Sequence, residues 1–250
     1  MATTTLLQQL NSQFPQHQFS AENLTVVHKG RFANAIVFRY HDEQFDLIIK
    51  DFQHSPWWVR RSFARLSVNQ EYKGLSRLAG LPGVANRFCR LSPIALAYDY
   101  IEGDSLRTLL KQQASLPKAF FSELERMVSA MHRRGVVHLD LRNLGNVLCS
   151  ADGKPYIIDF QSSMSYARFP KWLQRFMRRS DISGVYKAWS KLSEQSLPLS
   201  KETYLKRFNH VRKRWIFRGY PMQRAYTWVT GIIAQGLHSD FIRNIFERFL

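Results

Sequence analysis

Two short apolar runs carry polar groups that buried strands do not normally tolerate. The first is His138-Leu139-Asp140-Leu141-Arg142-Asn143-Leu144-Gly145-Asn146-Val147-Leu148, and the second, after a short break, is Tyr156-Ile157-Ile158-Asp159-Phe160. A carboxylate inside or beside an apolar run is costly unless it is paired, hydrogen-bonded or bound to a cation. The chain must therefore fold so that Asp140 and Asp159 find a common partner, and a divalent cation with a bound phosphate serves both.

The pattern itself is His-x-Asp, a basic residue two positions after the Asp, an Asn shortly beyond, and a distal Ile-Asp-Phe. It resembles the catalytic loop and metal-binding segment of the protein-kinase-like superfamily. Within that superfamily the atypical branch is closer: RIO-type kinases and the bacterial kinases that phosphorylate lipopolysaccharide core sugars. The resemblance spans roughly Val26 to Ser163. It implies a phosphotransferase with ATP and Mg2+ as cofactors, in which Asp140 accepts the proton of a substrate hydroxyl or orients that hydroxyl. Arg142 then stands where the family keeps a basic residue near the transferred phosphate. Asn146 and Asp159 become the magnesium ligands, both through hard oxygen. His138 is read as a structural residue that holds the loop.

One spacing departs from the family. Asn146 lies six residues after Asp140, one more than usual, whereas the thirteen residues from Asn146 to Asp159 are as expected. The extra residue fits most economically at Leu144-Gly145, where a glycine can absorb a bulge; the alternative is that Asn143 is the ligand.

The nucleotide side of the site is expected upstream. Lys50 ends the apolar run Asp46-Leu-Ile-Ile-Lys50, from which an ammonium can reach the α- and β-phosphates. Glu71 shares a helical face with Val68, Leu75 and Leu78, so its carboxylate points into apolar packing and needs a cation. The twenty-one residues between Lys50 and Glu71 are similar to the spacing of the superfamily's lysine–glutamate ion pair. The segment His28-Lys29-Gly30-Arg31-Phe32-Ala33-Asn34 occupies the place of the phosphate-cradling loop, yet it offers only Gly30, so Lys29 or Arg31 would supply charge in place of close backbone approach. By the same resemblance, adenine is expected against the backbone of Asp99 to Ile101.

Hydrophobic residues at 45% and aromatics at 14% exclude a disordered chain, and 250 residues suffice for two lobes sharing a cleft. The pattern predicts strands over Thr25 to His28, Ala35 to Tyr40, Phe45 to Lys50 and Ile94 to Ile101. Helices are predicted over Trp57 to Leu78 and Lys118 to Arg134, with a further helix start at Asp104-Ser105. The expected fold is α+β and bilobal, protein-kinase-like: a leader over 1–20, an N-lobe over 21–101 built on a small antiparallel sheet with one helix, and a mainly helical C-lobe over 102–250.

Two cysteines without metal-ligand spacing, no signal-like start and no apolar stretch of membrane-spanning length point to the cytoplasm. The formal charge of +17 favours a phosphate-rich partner: ribonucleoprotein, anionic lipid or the phosphorylated core of a lipopolysaccharide precursor. Arg168 to Arg179 and Lys206 to Arg224 interleave basic and aromatic residues, which suits either peripheral contact with the inner face of the cytoplasmic membrane or a nucleic-acid surface. After Asp159-Phe160 the family's glycine is replaced by Gln161 and no Ala-Pro-Glu segment follows, which disfavours an ordinary protein kinase. The leading expectation is transfer to a hydroxyl of a lipopolysaccharide core sugar. The alternatives are a RIO-like serine/threonine kinase or ATPase acting on a ribonucleoprotein, and a pseudokinase that only binds.

Overall fold

The computed structural model describes residues 2–30 and 34–214. The chain divides into a compact unit, Met1–Leu205, and a second one, Lys206–Leu250, of which only the last turns of one helix are described.

The first element is a helix, α1 (Ala2–Gln13), followed by strands β1 (Leu24–His28), β2 (Ile36–His41) and β3 (Asp46–Asp51). Alternation in β3 buries Leu47, Ile49 and Asp51 on one face, the period of two expected of a half-covered sheet. A helical run comes next. It opens with one turn, α2 (Trp57–Val59), widens into a π-turn over Arg60–Ala64 and continues as α3 (Arg65–Leu78). The predicted helix therefore has the expected ends with a local widening inside it. Strands β4 (Phe88–Ser92) and β5 (Ala95–Asp99) complete an antiparallel five-stranded sheet in the order β1-β2-β3-β5-β4. β4 was not among the predicted strands: Phe88-Cys-Arg-Leu-Ser has no clean alternation, and its pairing with β5 makes it a strand.

The second lobe begins with the short strand β6 (Gly103–Ser105) and helix α4 (Leu106–Lys111), whose N-cap is Ser105 accepting from Thr108 N–H. Helix α5 (Lys118–Arg133) lies where a helix was predicted and buries Phe120, Phe121, Leu124, Met127, Val128 and Met131. Gly135 ends it with φ +76, a left-handed conformation that glycine adopts without cost. Strands β7 (Val136–Val137), β8 (Val147–Ser150), β9 (Pro155–Ile157) and β10 (Met164–Ser165) are short ladders around the polar motif, and the long helix α6 (Lys171–Leu192) lies beneath them. α7 (Leu199–Arg214) ends the described chain.

The fold is the expected bilobal α+β arrangement. One correction concerns the first twenty residues. Leu6, Leu10 and Phe19 are buried against Tyr40, Leu47 and Ile49, so the expected leader or short helix is a helix, α1, and it packs on the sheet where only loose attachment was expected. His17 Nε2 lies 2.7 Å from Asp42 Oδ2 and fastens this segment to the β2–β3 turn. The basic stretch Lys206 to Arg224 lies outside the described residues from Trp215 onward.

Candidate active site

Three elements deliver three charged groups to one point. β3 presents Lys50, α3 presents Glu71, and the end of the β8–β9 hairpin presents Asp159. Lys50 Nζ donates to Glu71 Oε1 at 2.8 Å and Oε2 at 3.1 Å, and to Asp159 Oδ1 at 2.6 Å. Glu71 is almost fully enclosed, as its place on the apolar stripe of α3 requires. Burial opposes the Lys50 charge, but the Asp159 and Glu71 carboxylates hold its ammonium well above the ordinary value. Burial raises Glu71 despite Lys50. For Asp159 burial acts upward, and Lys50 overcomes it and holds the carboxyl below the usual range. One cation is thus shared by two carboxylates, and the pair carries a net negative surplus suited to a metal ion.

The catalytic-loop residues gather on the hairpin. Val147 pairs with Ile157 and Leu148 with Tyr156, and Ile158 N–H donates to Asn146 O at 3.0 Å. This register sets the Asn146 backbone opposite Ile158, the residue before Asp159. Asn146 Nδ2 donates to Asp140 Oδ2 at 2.8 Å and to Asp140 O at 3.2 Å, and Asn146 Oδ1 accepts from Asn143 Nδ2 at 3.2 Å. Asn143 itself caps a 3-10 turn over Leu144–Asn146, accepting from Gly145 N–H at 3.1 Å. The extra residue is therefore taken up by a capped turn. Gly145 has no positive φ, so its special backbone freedom is not what absorbs the insertion, contrary to expectation.

Asp140 is buried, with Oδ2 held by Asn146 and Oδ1 without any hydrogen-bond partner. Burial, with Asp159 adding to it, raises this carboxyl against the opposing pull of His138, Asn143 and Asn146. An enclosed carboxylate oxygen without a partner is expensive. His138 has the structural part expected of it: fully buried, it accepts at Nδ1 from Asp140 N–H (3.3 Å), which leaves Nε2–H to donate to Ile158 O (3.0 Å). Arg142, expected beside the transferred phosphate, donates to Ser183 Oγ on α6 at 2.9 Å and so braces the loop from below.

The nucleotide side is less specialised. A Cβ on Gly30 would stand 2.2 Å from Asn34 O and 2.5 Å from Ala35 O, so the turn admits only glycine there. Arg31 lies outside the described residues. Asp99 N–H donates to Arg87 O and Tyr100 N–H to Asp46 O, so in the expected adenine-edge segment Ile101 N–H is the amide that no described backbone group engages. The Asp99 side chain accepts from Arg87 N–H and Nε–H and is a structural clasp. Gln161, in place of the family glycine, bridges Ser67 Oγ (3.3 Å) and Asp159 Oδ2 (3.4 Å).

One site residue escaped the sequence analysis. Asp181, fully enclosed on α6, accepts from His138 N–H (2.9 Å) and Leu139 N–H (2.8 Å), and lies 3.0 Å from His132 Nε2. It steadies a backbone in which Leu139 has φ +66, a conformation that costs a non-glycine residue roughly 1–2 kcal/mol. The signal was present: Asp181 shares a helical face with Met177, Gly184, Val185 and Ala188, the same inward placement that singled out Glu71.

Among the described residues no cluster of three or more His, Cys, Asp or Glu side chains forms a metal cage. Magnesium keeps several waters and takes one or two protein oxygens together with substrate phosphates, and Asn146 and Asp159 are the residues that would supply such oxygens. Among curated proteins no sequence matches the chain. A family model does: the RIO domain matches residues 21–201. With lysine, glutamate, metal-side aspartate and catalytic-loop aspartate assembled in one cleft, the chain belongs to the RIO domain family, the atypical protein-kinase-like group of kinases and ATPases.

Proposed function

We propose that the protein transfers the γ-phosphate of magnesium-bound ATP to a hydroxyl of a protein or ribonucleoprotein substrate. The family match favours this reading over the lipopolysaccharide core sugar that leads from sequence alone. The observation that carries the reading is the Lys50 ammonium clasped by both Glu71 and Asp159, with Asp140 held by Asn146 at the adjoining hairpin.

In this reading Lys50, steadied by Glu71, meets the α- and β-phosphates. Asn146 and Asp159 hold the metal, Ile101 N–H meets adenine, and Asp140 aligns and deprotonates the hydroxyl. Arg142 ties the catalytic loop to α6. The bound Mg2+ supplies neutralisation of the phosphate charge.

Labelled ATP offered in parallel to ribosomal particles, bulk protein and lipid-linked sugar acceptors tests the acceptor. Label is expected in protein or ribonucleoprotein, in a Mg2+-dependent manner, and turnover is expected to fall by roughly two to four orders of magnitude in Asp140→Ala. Label entering only the sugar acceptor restores the lipopolysaccharide reading and, with it, contact with the cytoplasmic membrane. Binding of ATP without turnover on any acceptor or water leaves the pseudokinase.

A further inference from the structure

A second charged feature lies away from Lys50, Asp140 and Asp159. A cavity of about 400 Å³ opens between the end of α5, the start of α7 and one face of α6, and four of its lining residues are Arg133, Arg175, Arg178 and Arg179. Among the described residues no acidic side chain lines it. Among the described residues no carboxylate pairs with any of the four guanidinium groups.

A basic helix face exposed to water is the ordinary explanation for such arginines, and for Arg133 a helix C-terminus would suffice. Arg175, Arg178 and Arg179 sit at i, i+3 and i+4 on α6, where like charges repel one another. All three are exposed, and they converge with Arg133 on one shallow, open concavity. Tyr204 on its wall is held by burial up to about 12, so it remains a phenol able to donate. The surroundings supply guanidinium forks and a hydroxyl, the donor set that matches phosphate oxygens.

The cavity also adjoins the catalytic machinery through one side chain. His132 lines it, and His132 Nε2 lies 3.0 Å from the Asp181 carboxylate that holds the His138 and Leu139 amides. Tyr166, a further wall residue, donates its hydroxyl to His132 O.

We infer that this cavity binds a phosphate-bearing ligand at a place separate from the nucleotide cleft, and that its occupancy reaches the catalytic loop through His132 and Asp181. The ligand is a soluble phosphorylated molecule or the phosphate headgroup of a lipid. The inference needs no turnover and stands apart from the choice of acceptor.

Inorganic pyrophosphate is the probe, titrated calorimetrically into the full chain without magnesium in about 150 mM chloride, near physiological ionic strength. Saturable binding is expected, at least tenfold weaker in Arg175→Gln/Arg178→Gln and unchanged in Lys50→Met/Glu71→Gln, where the amide no longer needs the ammonium and a melting curve checks that the variant folds. Both arginines are exposed, and equal melting temperatures will confirm that the arginine variant folds. Pyrophosphate is also expected to slow amide exchange at His138 and Leu139. Flotation with phosphatidylcholine vesicles carrying phosphatidic acid, lost in the arginine variant, identifies a lipid headgroup as the source; binding of pyrophosphate without flotation identifies a soluble ligand. The site is overturned if neither probe binds, if the arginine variant binds as the parent does, or if folded Lys50→Met/Glu71→Gln no longer binds. Unchanged amide exchange overturns the link to the loop.

Discussion

Asp140 sets local stability against function. Its carboxyl is raised by burial, so its sign in linkage is unfavourable: the folded state holds the proton longer than the unfolded chain, and stability falls as pH rises from the ordinary aspartate range through the raised value. Asp140→Asn removes that loss while keeping an oxygen for Asn146 Nδ2. We expect it to melt about 2–4 °C higher at pH 7, the shift that roughly 1 kcal/mol produces in a domain of this size, while turnover collapses. A lower melting temperature in calorimetry would count against the burial account. Lys50 behaves in the opposite way. Two carboxylates depend on it, and Lys50→Met leaves Glu71 enclosed without its cation, for which a loss of roughly 3–5 kcal/mol is expected in chemical denaturation. Adding Glu71→Gln should return a good part of that loss, because an amide does not need the ammonium.

Elements place these residues through close backbone approach. Helix α6 passes so near the catalytic loop that a Cβ on Gly184 would stand 2.6 Å from Leu141 C and 2.9 Å from Arg142 N. Gly184→Ala is therefore expected to move Asp140 while leaving the nucleotide lobe alone. Turnover should drop on the order of a hundredfold with ATP affinity nearly unchanged, which steady-state kinetics beside nucleotide titration will separate. On the far side of the first lobe, Asp42 joins α1 to the sheet. It resists burial by accepting from Tyr40 OH, Phe45 N–H and Gln44 N–H and by meeting His17, and these hold its carboxyl down at about 2. Its contribution is present above the ordinary carboxylate value and disappears as pH falls from about 4 to about 2. Asp42→Asn should accordingly melt lower than the parent at pH 7 and alike near pH 2 in parallel thermal scans.

For the whole molecule, the charge of +17 acts on partners more than on the fold. Raising salt from 50 to 200 mM is expected to raise the KM for an anionic macromolecular acceptor on the order of tenfold, by screening and counterion release. The KM for ATP should move less, because Lys50 is enclosed and its field is only weakly screened. Equal salt dependence of both constants in initial-rate measurements would remove the basic surface from acceptor recognition.

Much of the chemistry was written in one dimension. An ionisable group within an apolar run, or on the inward stripe of a helix, declares its burial through local periodicity, and this is how Asp140, Asp159, Glu71 and the helices around them were legible. The partner of such a group is not local. Lys50 and Asp159 are 109 residues apart, and only the packing of one lobe on the other made them neighbours. β4 became a strand through its partner, α1 became part of a core through the sheet it covers, and Arg142 found Ser183 on a helix that follows the motif. Asp181 joins both cases: its inward placement was readable, but its work on the His138 and Leu139 amides exists only once α6 lies beneath the loop. Which groups must leave water follows from local pattern; what each of them meets inside follows from long-range packing, which no single segment encodes.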